Sequence, residues 1–220
     1  NYIIKKLLKM GVPLAIQYSL ISIGGMILQS TINKQGFIFV AGFTATNKVY
    51  GLLESSAIAL GFAMTTYTAQ NYGAGLIKRI FSGVKSAVMM AVVMSACVST
   101  VMIVWGRNVL GMFISAGEEG AAEALDIAYH LLFIMSVMLV FLYLLHVFRC
   151  ILQGLGDSIA PLLSGIIEFC VRVFIATILT SVCGSSVIFF AEPVAWIGSE
   201  LVLMISCFVQ FRKLKQIKIS

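Results

Sequence analysis

The charged residues of this sequence lie in short clusters, separated by apolar runs of roughly twenty residues, the length that crosses a bilayer as a helix. Each run is continuous, whereas the strands of a membrane β-barrel alternate apolar and polar residues over about ten positions. Only 11% of the 220 residues are charged, against about a quarter in soluble domains. The sequence therefore predicts an all-α membrane protein.

Six runs are long enough to be transmembrane helices. Pro13 and Pro161 stand at the starts of two of them, where the missing backbone N–H is not needed. We therefore predict one lobe of six transmembrane helices occupying residues 1–220. The six predicted spans cover about 13–31, 37–67, 87–105, 127–147, 161–183 and 187–211.

The distribution of basic residues predicts the orientation, because Lys and Arg collect on the cytoplasmic side. With both termini cytoplasmic, only Lys34 and Arg107 lie outside, next to an acidic loop at 106–126 that includes Glu118 and Glu119. The basic residues predicted inside are Lys5, Lys6, Lys9, Lys78, Arg79, Lys85, Arg149, Arg212, Lys213, Lys215 and Lys218. This asymmetry also fits an even number of spans.

Glu54 is an ionisable residue near the middle of the second predicted helix. A charge in hydrocarbon is costly, so such residues mark functional sites by default. At helical spacing Glu54 shares a face of small and polar residues with Asn47 and Gly61, whereas Lys48 points elsewhere. We expect Glu54 to take up a proton, to coordinate a cation or to pair with a group on another helix. The alternative is a buried glutamate that only ties helices together.

A polar stripe on the first predicted helix contains Gln29 and Asn33, with Gln17 beside it. A stripe of this kind on an otherwise apolar helix is expected to face the protein interior. The candidate residues of a substrate or ion pathway are thus Glu54, Asn47, Gln17, Gln29, Asn33 and Lys48.

Glu168 and Arg172 are placed for an ion pair within the fifth predicted helix. They are four residues apart with the glutamate first, which is the favourable order. We expect this pair to have a gating or structural role rather than to bind substrate. Glu200 is a weaker candidate, and His146 is interpreted as an interfacial residue near the inner end of its span.

The sequence does not favour an enzyme. The GLGD segment ending at Asp157 resembles the motif of intramembrane aspartyl proteases, but the other aspartate, Asp126, lies about 30 Å away at the opposite end of a helix. The GxSG motif of rhomboid-like proteases is absent, and the five cysteines lack metal-ligand spacing. No metal or cofactor is predicted. The net charge of +6 lies at the span ends and does not indicate nucleic acid.

Three segments closely resemble the multidrug and toxic compound extrusion (MATE) transporters. They are GVPLAIQYSLISIGGMILQSTIN, ATNKVYGLLESSAIALGFAMTTYTAQNYGAG and RCILQGLGDSIAPLLSGIIEFCVRV. The resemblance implies a twelve-helix antiporter of two six-helix lobes around a central cavity, of which this chain is the C-terminal lobe. It implies efflux of cationic amphipathic compounds in exchange for Na⁺ or H⁺, by alternating access in the plasma membrane.

One departure from the family pattern concerns the coupling ion. Some members carry an acidic ligand in the first helix of this lobe and an aspartate inside the fourth. This sequence has Tyr18 to Ser22, without a carboxylate, in the first helix, and its fourth span lacks the intramembrane aspartate. The cation site is therefore expected either at Glu54 or in an N-terminal lobe that this chain does not contain.

Two alternatives to drug efflux remain at this stage. A lipid-linked oligosaccharide flippase of the same superfamily requires a more cationic cavity than Lys48 and Arg172 provide. A non-transporting membrane scaffold or binding subunit would pair all its charges within the lobe. The expected partners are the lipid bilayer, the other lobe and small cationic substrates.

Overall fold

Long helices make up most of the structure, a computed structural model that describes residues 2–114 and 120–217. The α-helices are α1 (Tyr2–Ile32), α2 (Phe37–Gly73), α3 (Ile77–Gly111), α4 (Ala121–Val137), α5 (Leu139–Gly154), α6 (Ile159–Phe174), the short α7 (Thr180–Cys183) and α8 (Ala191–Ile217). A π-helical segment (Ile175–Leu179) joins α6 to α7, and a 3-10 helix (Ser185–Phe190) precedes α8. Glu118, Glu119 and Lys218 lie outside the described residues.

The prediction of an all-α membrane protein is confirmed. Within the described ranges, five helical segments are long and apolar enough to cross a membrane, and the bent pair α4–α5 makes a sixth. The helices extend beyond the predicted spans, since α1 begins at Tyr2 rather than Pro13 and α2 continues to Gly73. A helix keeps its hydrogen bonds where it leaves the bilayer, so hydropathy marks the apolar part and not the helix ends.

The fourth predicted span is a broken helix, because α4 and α5 meet at Met138 with a bend of 51°. Near the break, the Ser136 carbonyl accepts a hydrogen bond from the Ser99 hydroxyl on α3 at 2.6 Å. This bond supplies a partner to a carbonyl at the interrupted helix, as a break inside a membrane requires. Helix α5 continues to Gly154, so His146 and Arg149 both lie within this helix.

The π-helical segment at 175–179 interrupts the predicted fifth span near its outer end. Its Ala176 carbonyl accepts a hydrogen bond from the Thr31 hydroxyl on α1 at 3.2 Å. The irregular backbone is therefore tied to a neighbouring helix, which compensates for the altered hydrogen bonding within it.

The helices form two groups that meet at α8. Helix α1 packs on α6, α2 packs on α3, α4 and α5, and α8 packs on both α5 and α6. The consecutive helices α1 and α2 contact each other little. Side chains that these two helices turn towards each other are therefore not fully covered by the bundle.

Small residues bring α2 close to its neighbours. A Cβ added at Gly42 would lie 2.6 Å from the Ala124 carbonyl oxygen, and the Thr46 hydroxyl donates to the Ala128 carbonyl at 2.8 Å. A Cβ added at Gly61 would lie 2.9 Å from the Cys150 sulfur. Small residues and hydroxyl groups at close helix contacts are the usual means of packing helices in a membrane.

Substituting Gly61→Ala is expected to lower the free energy of unfolding by about 1–3 kcal/mol, because the added methyl group collides with α5. The matched control is Gly51→Ala on the same helix, where an added Cβ meets no described atom within 4 Å. This control should be neutral or stabilising by up to about 1 kcal/mol. Unfolding of the purified variants in micelles measures the difference, and equal stabilities would contradict the close α2–α5 contact.

Candidate functional site

Four buried or half-buried ionisable side chains form a chain of ion pairs across α5, α6 and α8. Arg149 contacts the Glu168 carboxylate and donates to the Ser164 hydroxyl at 3.1 Å. Glu168 also lies 3.5 Å from the Arg172 guanidinium, which reaches the Glu192 carboxylate at 2.7 Å. We call Arg149, Glu168, Arg172 and Glu192 the ion-pair network. It connects three helices through charges that each have a partner.

The predicted pair of Glu168 and Arg172 is present, but both residues also have closer partners on other helices. Arg149, which the charge count placed among the cytoplasmic basic residues, is only 4% exposed and lies within the bundle. Its cytoplasmic side stays a prediction. Arg172 further donates to the Ile21 carbonyl on α1 at 3.1 Å. The gating or structural role of the pair stays a prediction.

Glu54 lies in a less crowded position, on the part of α2 that contacts α5. Its carboxylate oxygen is 3.8 Å from Nε2 of His146, and 33% of its side-chain surface is accessible. Tyr50 lies one helical turn earlier beside Glu54, and its ring stacks on Trp196 of α8 at a centroid distance of 5.7 Å. We call Glu54, Tyr50 and His146 the Glu54 site. An ion pair forms there only when His146 is protonated, so the partner of Glu54 is titratable.

The structure divides the polar face of α2 into two parts. Thr65 donates to the Cys150 carbonyl at 3.2 Å, and Gly154 sits against Thr65 and Thr68, so this end is packed on α5. Asn47 is half-buried, and Gly51 has open space around it among the described atoms. The part of the face that carries Asn47, Gly51 and Glu54 therefore has accessible surface in the described bundle, whereas the other part contacts α5.

The polar stripe of α1 lies on the surface of this bundle, and its predicted position on a cavity between two lobes stays a prediction. Gln29 is half-buried and donates to Asn33 at 2.9 Å, and Asn33 is exposed. The reason is that α1 packs on α6 through a different face, which includes Gly24 against Phe169. Gln17, beside the stripe, is fully buried, and its amide has no hydrogen-bond partner within residues 2–114 and 120–217.

Lys48 is exposed, and its ammonium group lies 5.9 Å from the centroid of the Phe113 ring. The structure thus directs Lys48 towards the segment after α3 rather than into the Glu54 site. Its inclusion in a pathway stays a prediction that this position does not favour.

Sequence reasoning missed the participation of His146, Arg149 and Glu192. His146 and Arg149 are three residues apart and therefore on nearly the same face of α5, a spacing that the sequence contains. Their role depends on which helices α5 contacts, and this is a tertiary property. Glu192 stands in the first turn of α8, and nothing in the local sequence indicates its contact with Arg172 on α6.

A cavity of about 880 Å³ lies near the start of α1 and the end of α8, and none of the predicted pathway residues lines it. It is lined by Lys5, Lys6 and Lys9 of α1 together with the loop before α6. Asp157 in this loop accepts hydrogen bonds from the backbone N–H of Ile159 at 2.9 Å and from Gln210 at 3.0 Å. The aspartate thus caps α6 and joins it to α8, which accounts for GLGD structurally.

The described residues thus form a polytopic helical membrane bundle with buried ion pairs and a partly accessible carboxylate, Glu54. The family model described as MatE matches residues 13–178. The chain is thus a member of the MatE family, whose members are transporters and not enzymes. This confirms the resemblance inferred from the three sequence segments.

Known proteins agree with this assignment. The probable multidrug resistance protein YoeA of Bacillus subtilis (strain 168) is 27% identical over 128 residues, which are 58% of this chain and 27% of that protein. An outward-facing multidrug resistance MATE family transporter superposes with a TM-score of 0.84 at 14% identity, covering 94% of this chain and 45% of the other. For an inward-facing one, the TM-score is 0.80 at 18% identity, covering 98% and 50%. The chain therefore spans about half the length of these transporters, and the structural likeness concerns the fold.

Proposed function

We propose that this chain is the C-terminal six-helix lobe of a multidrug efflux antiporter. The match of one bundle to half of an outward-facing and half of an inward-facing transporter supports alternating access in which the lobe moves as a unit. The second half of the cavity then belongs to an N-terminal lobe. The basic residues at one end of the helices support an orientation with both ends of the segment cytoplasmic. The plasma membrane is the location that an efflux function requires in this proposal.

The observation that carries the proposal is the Glu54 site. Glu54 is a partly accessible carboxylate in the membrane whose neighbour His146 is titratable rather than permanently charged. Such a pair exchanges a proton, or releases the carboxylate to a cation, without breaking a permanent ion pair. Na⁺ or H⁺ is the coupling ion in this proposal, and Glu54 with Asn47 provides polar contacts to it or to a cationic substrate.

The ion-pair network has the complementary role of holding the lobe together. Its four charges compensate each other between α5, α6 and α8. Because both arginines of the network are neutralised by carboxylates, they are not available to a pyrophosphate group. The flippase alternative is therefore not favoured. A scaffold without transport is not favoured either, since Glu54 keeps accessible surface beside a titratable partner.

The full-length protein, reconstituted into liposomes, is expected to transport a fluorescent organic cation in exchange for Na⁺ or H⁺ that moves down an imposed gradient. Dye movement is followed with each gradient separately and with none. Collapsing the gradient with an ionophore in the same sample provides the control. Absence of dye movement under both gradients would contradict the proposed antiport.

A further inference from the structure

The interior of the bundle holds more carboxylates than arginines. In the described ranges, Arg149 and Arg172 pair with Glu168 and Glu192. Glu54 has His146 as its neighbour. Glu200 on α8 is the carboxylate that these pairs leave over.

Glu200 is 3% exposed, so its carboxyl group is almost wholly removed from the protein surface. Neither of its carboxyl oxygens has a hydrogen-bond partner among residues 2–114 and 120–217. The adjacent residue Ser199 donates to the Ser164 carbonyl on α6 at 2.8 Å, which places this part of α8 directly against α6. Glu200 is thus buried at the contact of α8 with its neighbours.

The charges around Glu200 come from the helices on which α8 packs. Arg149 is the residue whose charge acts on the Glu200 carboxyl, and its guanidinium is already bound to Glu168 and Ser164. Cys207 on α8 lies close enough for a charge on Glu200 to act on it. The other ionisable groups on the helices packed against this part of α8 are Tyr143, His146 and Cys150 on α5, Glu168, Cys170 and Arg172 on α6, Glu192 on α8, and Glu123, Asp126, Tyr129 and His130 on α4.

We infer that Glu200 carries a proton in this conformation and is a proton-binding site separate from the Glu54 site. An ionised carboxylate buried without a partner costs far more than a neutral carboxylic acid in the same place. Among the described residues, the cation that acts on Glu200 is Arg149, which is already engaged by Glu168, so the neutral acid is the form that this arrangement accommodates. The inference concerns protonation alone and holds whichever ion the transporter exchanges.

Loss of this proton has a structural consequence. The Glu200 carboxylate would compete with Glu168 for Arg149, whose Nε has no hydrogen-bond partner in the described part of the chain. Sharing Arg149 between α6 and α8 weakens the contact of α5 with α6. The proton on Glu200 therefore keeps the ion-pair network in the arrangement seen here.

Infrared spectroscopy of the purified full-length protein in lipid nanodiscs at neutral pH tests the inference directly. The difference spectrum of wild type minus Glu200→Gln should contain a C=O band of a protonated carboxyl group. The same subtraction for Glu168→Gln should contain carboxylate bands instead, because that residue is ionised. A wild-type minus Glu200→Gln spectrum with carboxylate bands alone would overturn the inference.

Thermal denaturation provides an independent readout that does not depend on assigning bands. Because glutamine resembles the neutral acid, Glu200→Gln should leave the melting temperature at neutral pH unchanged, whereas Glu168→Gln should lower it by several degrees. A decrease for Glu200→Gln as large as that for Glu168→Gln would mean that Glu200 is ionised and paired with Arg149, and would overturn the inference.

Discussion

Glu168→Gln is expected to lower the free energy of unfolding by about 3–5 kcal/mol, the range found when one partner of a buried ion pair is removed. The effect is large because Glu168 is in contact with both Arg149 and Arg172. The amide fills the same space but removes the negative charge between the two guanidinium groups. Equilibrium unfolding of the purified protein in mixed micelles measures the change.

The matched control for this substitution is Arg107→Gln, which removes an ion pair at the surface. Arg107 lies 2.6 Å from Asp126, but their side chains are 54% and 63% exposed. An exposed pair contributes at most about 1 kcal/mol because water and salt screen it. Similar losses for the two variants would show that burial does not determine the strength of the network.

Glu54→Gln is expected to impair ion coupling while leaving the fold intact. Glutamine keeps the shape of the side chain but cannot hold a proton or neutralise a cation. Loss of one charge-assisted contact, about 1.5–3 kcal/mol, corresponds to a roughly 10- to 100-fold weaker affinity for the coupling ion. The measurement is the Na⁺ concentration or the pH that gives half-maximal efflux in liposomes.

The control for the Glu54 substitution is Glu123→Gln, which removes an exposed carboxylate at the start of α4. It has the same change of net charge without altering the membrane interior, so efflux and its ion dependence should be those of wild type. Wild-type coupling in Glu54→Gln itself would remove this residue from the mechanism and would favour a cation site in the other lobe.

These two experiments separate two kinds of membrane carboxylate. Glu168 is enclosed by permanent cations and is expected to affect stability, whereas Glu54 is accessible beside His146 and is expected to affect coupling. A permanent counter-charge favours the ionised carboxylate, while a titratable neighbour allows it to change state. The nature of the partner, and not depth in the membrane, is therefore what distinguishes them.

Local spacing made some of this predictable. Glu168 and Arg172 are four residues apart on one helix, and their contact follows from helix geometry alone. The closer contact of Glu168 with Arg149 joins residues on different helices and has no local signal. His146 was interpreted as an interfacial residue near the inner end of its span, and its contact with Glu54 on α2 likewise has no local signal.

The polar stripe of α1 shows the same limit. Periodicity correctly groups Gln29 and Asn33 on one face, and their hydrogen bond agrees with this. Periodicity does not indicate which face of α1 contacts α6, and only the structure shows that the stripe lies on the surface of this bundle. Gln17, one position from the stripe, is the residue that packs against Gly165 instead.

By itself the sequence determined the membrane class, the helical fold and the family, because each depends on composition, on periodicity or on segments that are continuous in the chain. Only the tertiary structure decided which charge partners which. That choice depends on distances between α2, α5, α6 and α8, which the chain brings together from positions up to 92 residues apart, as for Glu54 and His146. In a low-dielectric interior the strength of a charge interaction depends strongly on such distances. The packing, and not the order of residues, therefore surrounds Glu168 with two arginines and leaves Glu54 beside a histidine.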